Sequence, residues 1–255
     1  MNLLNTQKKS RWLGWGRWLL PSLGLFLSGC STLPVGHQPD PRDPFESLNR
    51  GFFEFNLKAD EHVIRPAAKA YRTITPEPVR QGVTNVLSNL RDTTTTVHHL
   101  LQGEVDSASE SAGRVFLNST VGVLGIVDVA SRLGLRRSKE DAGLTLAYWG
   151  LPNGPFLMLP LMGPSTARDL VGDVLDGQID PMDWALSADR ATRNATLGLT
   201  ILDKRVSLME AESTFGMMSF DPYLSVRDAY LARRAQRAQH ERPPVSPELG
   251  LGVPR

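Results

Sequence analysis

Apolar residues recur every three or four positions along most of the chain from residue 43 to residue 240. This spacing places them on one face of a helix, so it predicts a series of amphipathic helices. The clearest series comprises Ala195, Leu199, Leu202, Val206 and Met209. The pattern therefore predicts a mainly α domain over residues 43–240.

Local signals refine the predicted helices. The pairs Asp43–Pro44 and Asp221–Pro222 each predict a helix start, with Asp as the N-cap and Pro at the first helical position. Pro66 predicts a break or kink, and the run Thr93–Thr96 predicts an interruption. One further helix has a predicted inner face that consists of Ala108, Ala112, Val115, Phe116 and Ser119.

The middle of the chain departs from the helical pattern. Residues 151–164 carry no charge, and their internal prolines exclude a continuous helix, so the sequence predicts an irregular middle rich in Gly and Pro. Two interpretations stay open for this stretch. It is either a buried core segment whose prolines set turns, or an apolar surface that lies in a membrane or lines a lipid path. The next helix is predicted to begin near Pro164, capped by Ser165 or Thr166.

Residues 1–29 have the pattern of an export signal. An apolar region from Trp18 to Leu27 is too short to span a bilayer as a stable helix. The basic residues before or at its edge are Lys8, Lys9, Arg11 and Arg17. The run Leu27-Ser28-Gly29-Cys30 is typical of a lipoprotein cleavage site. The sequence therefore predicts that Cys30 is a lipid anchor, whose thiol takes a diacylglyceryl group and whose freed amine takes a third chain.

The residues after Cys30 predict a location and a layout for the mature chain. Ser31 stands where Asp would favour retention at the inner membrane, so we expect a protein tethered to the outer membrane and facing the periplasm. Residues 30–42 form the predicted acylated tether. Residues 241–255 are rich in Pro and Gly and form a predicted disordered tail. A single cysteine excludes an intramolecular disulfide.

Charge and hydropathy exclude two further classes of protein. The chain has 28 Lys and Arg residues and 27 Asp and Glu residues, for a net charge of +1. Removal of the four basic residues of the signal changes this charge to −3, which leaves no basic excess to suggest nucleic-acid binding. No segment after the signal has about 18 uninterrupted apolar residues, so no ordinary transmembrane helix is predicted.

The sequence has no recognisable catalytic constellation. It lacks a Gly-x-Ser-x-Gly elbow and a phosphate-binding loop, so we expect neither an enzyme nor a cofactor. Ser165 fits a helix N-cap better than a nucleophile. The pair His98–His99 has no carboxylate at metal-ligand spacing, and adjacent helical residues point about 100° apart, so no metal site is predicted there.

Several motifs occur in the order found in one family of lipoproteins. They are Asp43-Pro44-Phe45-Glu46-Ser47-Leu48-Asn49-Arg50, Leu100-Leu101-Gln102-Gly103, Arg114-Val115-Phe116-Leu117-Asn118, Gly125-Ile126-Val127-Asp128, Gly154-Pro155-Phe156, Gly163-Pro164-Ser165 and Asp221-Pro222-Tyr223. Over about residues 43–234 the chain resembles the MlaA family, also called VacJ, of outer-membrane lipoproteins. It departs from the family pattern between Asp92 and His99, where family members commonly have Pro and then Asn.

The resemblance implies a ring-like helical domain embedded in the inner leaflet of the outer membrane. It implies an amphipathic channel that removes misplaced phospholipid from the outer leaflet and so maintains lipid asymmetry. The lipid would pass to the soluble periplasmic carrier MlaC and then to an inner-membrane transporter complex. Family members associate with trimeric porins, and no covalent chemistry is involved.

Candidate channel residues follow from combining the resemblance with the apolar segments. The candidates in the uncharged middle are Phe156, Leu157, Leu159 and Leu161, and those on the later amphipathic helix are Leu199, Leu202 and Lys204. Arg168 has two open interpretations. It either binds a phosphate head group with two parallel bonds, or forms a local ion pair with Asp169 or Asp173.

Two rival functions stay open at the level of sequence. A structural lipoprotein that scaffolds porins would hold no lipid and would have no amphipathic interior. A lipid-degrading enzyme with an unrecognised site would lose turnover on a single polar substitution.

Overall fold

The computed structural model describes residues 40–179, 190–215 and 221–240, and these residues are mainly helical. The predicted mainly α fold class is therefore confirmed. The predicted signal at residues 1–29, Cys30, most of the tether and the tail at 241–255 lie outside the described residues. Within the described ranges, no helix combines the length and the apolar character that crossing a membrane requires.

The helices follow one another with short connections and one small sheet. Helix α1 (Glu46–Ala59) continues through a π-helical turn (Asp60–Ile64) into α2 (Arg65–Ile74). The later elements are α3 (Glu77–Leu101), α4 (Val105–Thr120), α5 (Val129–Arg132), α6 (Ala142–Tyr148), β1 (Phe156–Leu159), β2 (Gly163–Thr166), α7 (Ala167–Ile179), α8 (Arg190–Phe215) and α9 (Pro222–His240). Among the described elements, α3 and α4 pack against each other most extensively.

One of the two predicted Asp–Pro helix starts is confirmed, and the other is wrong. The carboxylate of Asp221 accepts hydrogen bonds from the backbone N–H groups of Tyr223 (3.0 Å) and Leu224 (3.2 Å), as an N-cap does. Asp43 lies before α1 but does not cap it. Its buried carboxylate instead accepts bonds from Asn49 Nδ2 (2.8 Å) and the Tyr223 hydroxyl, because side chains of α1 and α9 meet there.

Pro66 widens the helix at the place where the sequence predicts a break. The N–H of Arg65 donates to the carbonyl of Asp60, five residues earlier, which is the hydrogen bond of a π turn. Pro66 itself has no N–H, and a proline ring crowds the carbonyl four residues before it. The wider turn accommodates this, so the chain continues as α2.

The predicted interruption at Thr93–Thr96 is wrong, since α3 continues through the run to Leu101. The Thr96 hydroxyl donates to the carbonyl of Asp92 at 2.8 Å, within the helix. The Thr95 hydroxyl is buried and accepts from the N–H of Glu140 at 3.3 Å. Tertiary contacts therefore outweigh the low helix propensity of threonine.

The uncharged middle forms a β-hairpin. Strands β1 and β2 are antiparallel, with Phe156 opposite Thr166 and Leu159 opposite Gly163. Leu161 in the turn between them has a φ of 62°, and Gly163 at the start of β2 has a φ of 91°. Thr166 then caps α7, because its hydroxyl accepts from the N–H of Asp169 at 3.2 Å. Of the two predicted caps, Thr166 rather than Ser165 is the one observed.

Two asparagines of α1 hold the open edge of this hairpin. Asn49 donates to the carbonyl of Phe156 (3.1 Å) and accepts from the N–H of Met158 (2.9 Å). Asn56 repeats the arrangement with the carbonyl of Leu159 (2.9 Å) and the N–H of Leu161 (2.7 Å). The two asparagines stand seven residues apart, which is about two helical turns, so both face the strand. Backbone groups that an edge strand would leave open are thereby satisfied.

The hairpin and α9 share a small aromatic core. Phe156, Met158, Tyr223 and Leu231 form one buried cluster. The ring of Phe156 meets those of Tyr223 and Tyr230 edge to face, with centroids 6.3 Å apart in each case. Edge-to-face pairs of this kind add stability beyond the burial of their area.

Helices α6 and α7 approach each other through two glycines. A Cβ atom on Gly172 would collide with the backbone nitrogen of Gly143 and would lie 2.8 Å from its Cα. A Cβ on Gly143 would in turn crowd the side chains of Arg234 and Asp169. Only glycine at both positions permits this close contact of two helix backbones.

We expect Asn56→Ala to lower the free energy of unfolding by about 1–3 kcal/mol, because it leaves a strand carbonyl and an N–H without partners. Urea denaturation of the purified protein would measure the change. Asn194→Ala is the matched control, since Asn194 is exposed on α8, and its effect should stay within about 0.5 kcal/mol. Equal effects of the two substitutions would contradict the role of Asn56 in holding the hairpin.

Gly172→Ala should destabilise the protein by about 1–3 kcal/mol, because the added methyl forces α6 and α7 apart. Gly177 lies on the same helix, and apart from its chain neighbours and its own helix backbone no described atom lies within 4 Å of a Cβ placed there. Gly177→Ala should therefore stabilise by about 0.5–1 kcal/mol through helix propensity alone. Thermal unfolding of both variants would separate packing from propensity, and a stable Gly172→Ala variant would refute the close contact.

Candidate functional site: a charged interior and an apolar exterior

The described part of the protein reverses the usual distribution of polar and apolar side chains. Its buried side chains are more often polar or charged than apolar, and several of the buried apolar ones are alanines. Large apolar side chains are instead exposed on most of the described elements. Extended exposed apolar surface of this kind marks an interaction site or a membrane-contacting surface.

The loop from Val121 to Ile126 shows the apolar exterior most clearly. Val123 is 61% exposed and Leu124 is 76% exposed. Both residues adopt positive φ angles, of 53° and 56°, which are strained for side chains that branch or are bulky. Asn85 on α3 holds the loop by donating to the carbonyl of Ile126 at 2.8 Å. Strain that neighbouring structure maintains is common at functional sites.

The buried side of α4 only partly overlaps the predicted inner face, since Val115 and Ser119 of that face are half-buried. Of its predicted inner face only Ala108 is buried, whereas Phe116 is 67% exposed. The side that faces the protein interior carries Ser111, Arg114 and Asn118, all buried. The prediction was wrong for Phe116, because it took apolar residues alone as the inner face, whereas the polar side chains beside Ala108 are the buried ones.

Arg114 lies at the centre of this interior and has no exposed surface. Its guanidinium donates to the carboxylates of Asp92 and Asp128, each at 3.1 Å. It also donates to the Ser131 hydroxyl (3.0 Å) and to the carbonyl of Leu135 (2.9 Å). One buried cation thus joins α3, α4, α5 and the segment after α5.

The two carboxylates that bind Arg114 differ in their environment. Burial raises the pKa of Asp92, despite the opposing effect of Arg137 and Arg114. Burial acts on Asp128 in the same direction, but hydrogen bonds from Ser131 and Asn118 hold the pKa of Asp128 well below its usual range. Asp128 also caps α5 by accepting from the N–H of Ser131 at 3.1 Å. Asp128 therefore has the lower pKa of the pair.

A second ion-pair network connects α9 to α6 and α7. Arg234 donates to both oxygens of Asp141, at 2.6 and 2.9 Å, and also binds Asp169. The hydroxyl of Tyr230 donates to the other oxygen of Asp169 at 2.7 Å. Burial would raise the pKa of Asp141, but the bonds from Arg234 lower it. Asp141 also caps α6 by accepting from the N–H of Leu144 at 2.9 Å.

His98 and His99 both point into the interior, although they are adjacent on α3. His98 lies between the Thr145 hydroxyl (3.0 Å) and the Asp176 carboxylate (2.7 Å). His99 lies between the Glu104 carboxylate and a serine hydroxyl, at 2.9 and 2.7 Å. Each ring thus has two polar partners, and among the described residues no group of three or more ligands could hold a metal ion.

The four candidate channel residues of the hairpin occupy different environments. Phe156 is fully buried in the aromatic core, so it is withdrawn from the candidate channel surface. Leu157 and Leu159 are half-buried, and Leu161 is exposed at the turn. The core interpretation of the uncharged middle therefore applies to β1, and the turn after β1 is exposed.

Arg168 is buried and has protein partners. Its guanidinium donates to the carbonyl of Leu151 at 3.2 Å and lies 3.4 Å from the Asp169 carboxylate. Of the two interpretations, the structure shows the local ion pair, and Asp169 rather than Asp173 is its partner. The Nε of Arg168 is buried without a hydrogen-bond partner among the described residues.

The predicted helix around residues 195–209 is confirmed as part of α8. Leu199 and Leu202 are half-buried, Lys204 is exposed, and Val206 is buried. Arg205 anchors the helix by binding both oxygens of Asp60 in the π turn, at 2.6 and 2.8 Å.

A polar stripe on α3 was not among the predicted features. Asn85, Asn89 and Asp92 are buried, and their spacing of four and three residues places them on one face. Asn85 holds the apolar loop, and Asn89 donates to the Ser119 hydroxyl of α4 at 3.0 Å. The polar period was visible in the sequence, and it marks the interior side of the helix.

Known proteins are similar to this chain in sequence and in fold. The family model described as "MlaA lipoprotein" matches residues 41–237. The intermembrane phospholipid transport system lipoprotein MlaA of Escherichia coli is 32% identical over 214 residues, which cover 81% of this chain and 82% of the relative. An uncharacterised protein of Rickettsia typhi is 32% identical over 202 residues, which cover 78% of each chain.

A solved structure agrees with this assignment. It comes from work on the "structural basis for maintenance of bacterial outer membrane lipid asymmetry" and superposes with a TM-score of 0.67. It is 33% identical in sequence, and the match covers 77% of this chain and 98% of that chain. With the family model and the relatives in agreement over most of its length, the chain belongs to the MlaA lipoprotein family.

Proposed function

We propose that the protein removes misplaced phospholipid from the outer leaflet of the outer membrane through an amphipathic channel. The observation that carries the proposal is the reversed distribution of side chains in a member of the MlaA family. Apolar residues on the outside suit contact with acyl chains, and polar groups on the inside suit passage of a charged head group. The names of its relatives support phospholipid as the transported molecule.

The apolar exterior fits a protein seated in one leaflet. In lipid, backbone polar groups need partners from the protein, because no water is available to them. The hairpin meets this requirement through Asn49 and Asn56, and its turn exposes Leu161 and Met162. The apolar loop meets it through Asn85. Exposed segments that are irregular or extended are thus compatible with the membrane interface.

The lipid anchor and the partners belong to the same proposal. Acylated Cys30 holds the protein at the periplasmic side of the outer membrane, since two or three acyl chains anchor stably. Lipid passes from the protein to the soluble carrier MlaC, and a trimeric porin is the partner in the membrane. The remaining candidate channel residues are Leu157, Leu159, Leu161, Leu199, Leu202 and Lys204. No covalent step is part of this function.

We expect cells that lack the protein to accumulate phospholipid in the outer leaflet, which labelling of surface-accessible lipid head groups would measure. The wild-type gene should restore asymmetry, and Cys30→Ala should not, because it removes the anchor. Ser31→Ala is the matched control and should rescue fully. An unchanged outer leaflet in the deletion strain would refute transport and favour a scaffold that organises porins.

We also expect the exposed apolar surface around Phe116 to contact the acyl chains of the membrane. Because acylation consumes the single native cysteine, a new cysteine can carry an environment-sensitive fluorophore on its own. In phospholipid vesicles, a probe at Phe116→Cys should emit at shorter wavelength and should be quenched by brominated acyl chains. Gln239→Cys is the control, since this residue is exposed on α9, where the described side chains include no exposed large apolar group. Equal quenching at both sites would contradict the proposed orientation.

A further inference from the structure

A cavity of about 310 Å³ lies between α3, the segment before α6, α7 and α9. Four basic side chains line it: Arg91, Arg137, Lys139 and Arg237. They come from three separate parts of the chain, so the fold rather than local sequence brings these charges together. Partial burial, and then the repulsion from Arg233 and Arg91, lower the pKa of Lys139, which stays exposed on its outer side.

These basic side chains have N–H groups without hydrogen-bond acceptors among the described residues. Within residues 40–179, 190–215 and 221–240, the side chains of Arg91 and Lys139 form no hydrogen bond or ion pair. Nε of Arg137 and Nη2 of Arg237 are buried and have no hydrogen-bond partner among the described residues. The nearest carboxylate oxygens lie 3.6 Å from Arg137 Nε and 3.9 Å from Arg237 Nη2, which is too far for a hydrogen bond.

Each acidic side chain of the cavity wall has a partner outside the wall, and Asp92 and Glu140 also pair with the wall cations Arg137 and Arg237. Asp141 is bound by both terminal nitrogens of Arg234, and Asp92 by Arg114. Asp176 binds His98 at 2.7 Å. Glu140 accepts from the side-chain amide of Gln102 at 3.2 Å. Arg91 and Lys139 are therefore left at the cavity with unused N–H groups, an arrangement that attracts an anion, whereas Arg137 also donates to Asp128 at 3.4 Å.

We propose that this basic pocket binds a phosphate group, and that the phosphate is that of a phospholipid head group. The lipid assignment rests on the proposed function. Guanidinium and ammonium groups bind phosphate through short, charge-assisted hydrogen bonds. The hydroxyls of Ser88 and Thr94 also line the pocket and can donate to phosphate oxygens.

The size of the pocket fits a head group and not a whole lipid. Its volume lies at the lower end of the range for ligand sites, so two acyl chains would extend beyond it. Val97 and Leu101 are exposed one and two turns beyond Thr94 on the same helix. The helix that lines the pocket thus continues into apolar surface, where acyl chains can lie.

The test removes the two unpaired cations with Arg91→Gln and Lys139→Gln together. Both side chains are exposed and unpaired, so the variant should fold like the wild type, which its melting temperature would verify. The matched control is Lys69→Gln with Arg72→Gln, which removes the same charge from exposed positions on α2. Isothermal titration of the mature lipoprotein in uncharged detergent would use dihexanoyl phosphatidylglycerol and, separately, inorganic phosphate.

We expect the pocket variant to weaken binding of both probes at least tenfold, which corresponds to about 1.4 kcal/mol. The control should stay within twofold of the wild type, and inorganic phosphate should compete with the lipid. Unchanged binding of both probes in the pocket variant would overturn the site. Loss of phosphate binding with unchanged lipid binding would overturn the lipid assignment and show a site for free phosphate.

Failure of the pocket and failure of the transport proposal give different results. Phospholipid that copurifies with the wild type and equally with the pocket variant would refute the pocket alone. A folded wild type that neither copurifies with phospholipid nor binds the short-chain lipid would refute transport, and with it the lipid assignment of the pocket.

Discussion

Burial of Arg114 is the constraint on which the rest of the described structure depends. A guanidinium without exposed surface is tolerated only when its donors are satisfied, and Asp92, Asp128, Ser131 and Leu135 supply the acceptors. Those acceptors fix how α3, α4 and α5 stand relative to one another. Loss of one partner from a buried ion pair costs about 3–5 kcal/mol, so the arrangement has little freedom to vary. With its polar side directed inward, α4 must turn Phe116 outward.

Polar groups in the parts that are not helical also have hydrogen-bond partners within the protein. Asn49 and Asn56 supply the bonds that a partner strand would otherwise supply to β1, and Asn85 does so for the apolar loop. Asparagine suits this task because its amide both donates and accepts. A protein that satisfies its own backbone can expose apolar side chains to lipid at no further polar cost. The internal hydrogen bonds are thus what allows the exterior of the protein to be apolar.

The basic pocket shows how an ion-pair interior can also serve binding. Arg234 binds Asp141 and Arg114 binds Asp92, and neither arginine lines the pocket. Arg91 and Lys139 are therefore available to bind an anion. Structural and binding cations therefore have distinct positions, although both belong to one charged region. In a lipid transporter this separation would permit a head group to enter and leave without disruption of the bonds that hold the helices together.

The sequence by itself determined the helical class, the start of α9 at Asp221 and the helix around Leu199. These features depend on local period and on short-range capping, which a single chain displays directly. Only the tertiary structure decided which face of α4 is buried. Interpretation of the sequence assumes that apolar side chains are buried and polar ones exposed, and α4 buries polar side chains. It also decided that Thr95 lies in a helix, because its partner Glu140 is distant in the sequence. Phe156 lies in a strand because the turn brings Thr166 opposite it. Helical period divides a helix into two sides, and only long-range partners such as Asp92 for Arg114 decide which side is the interior.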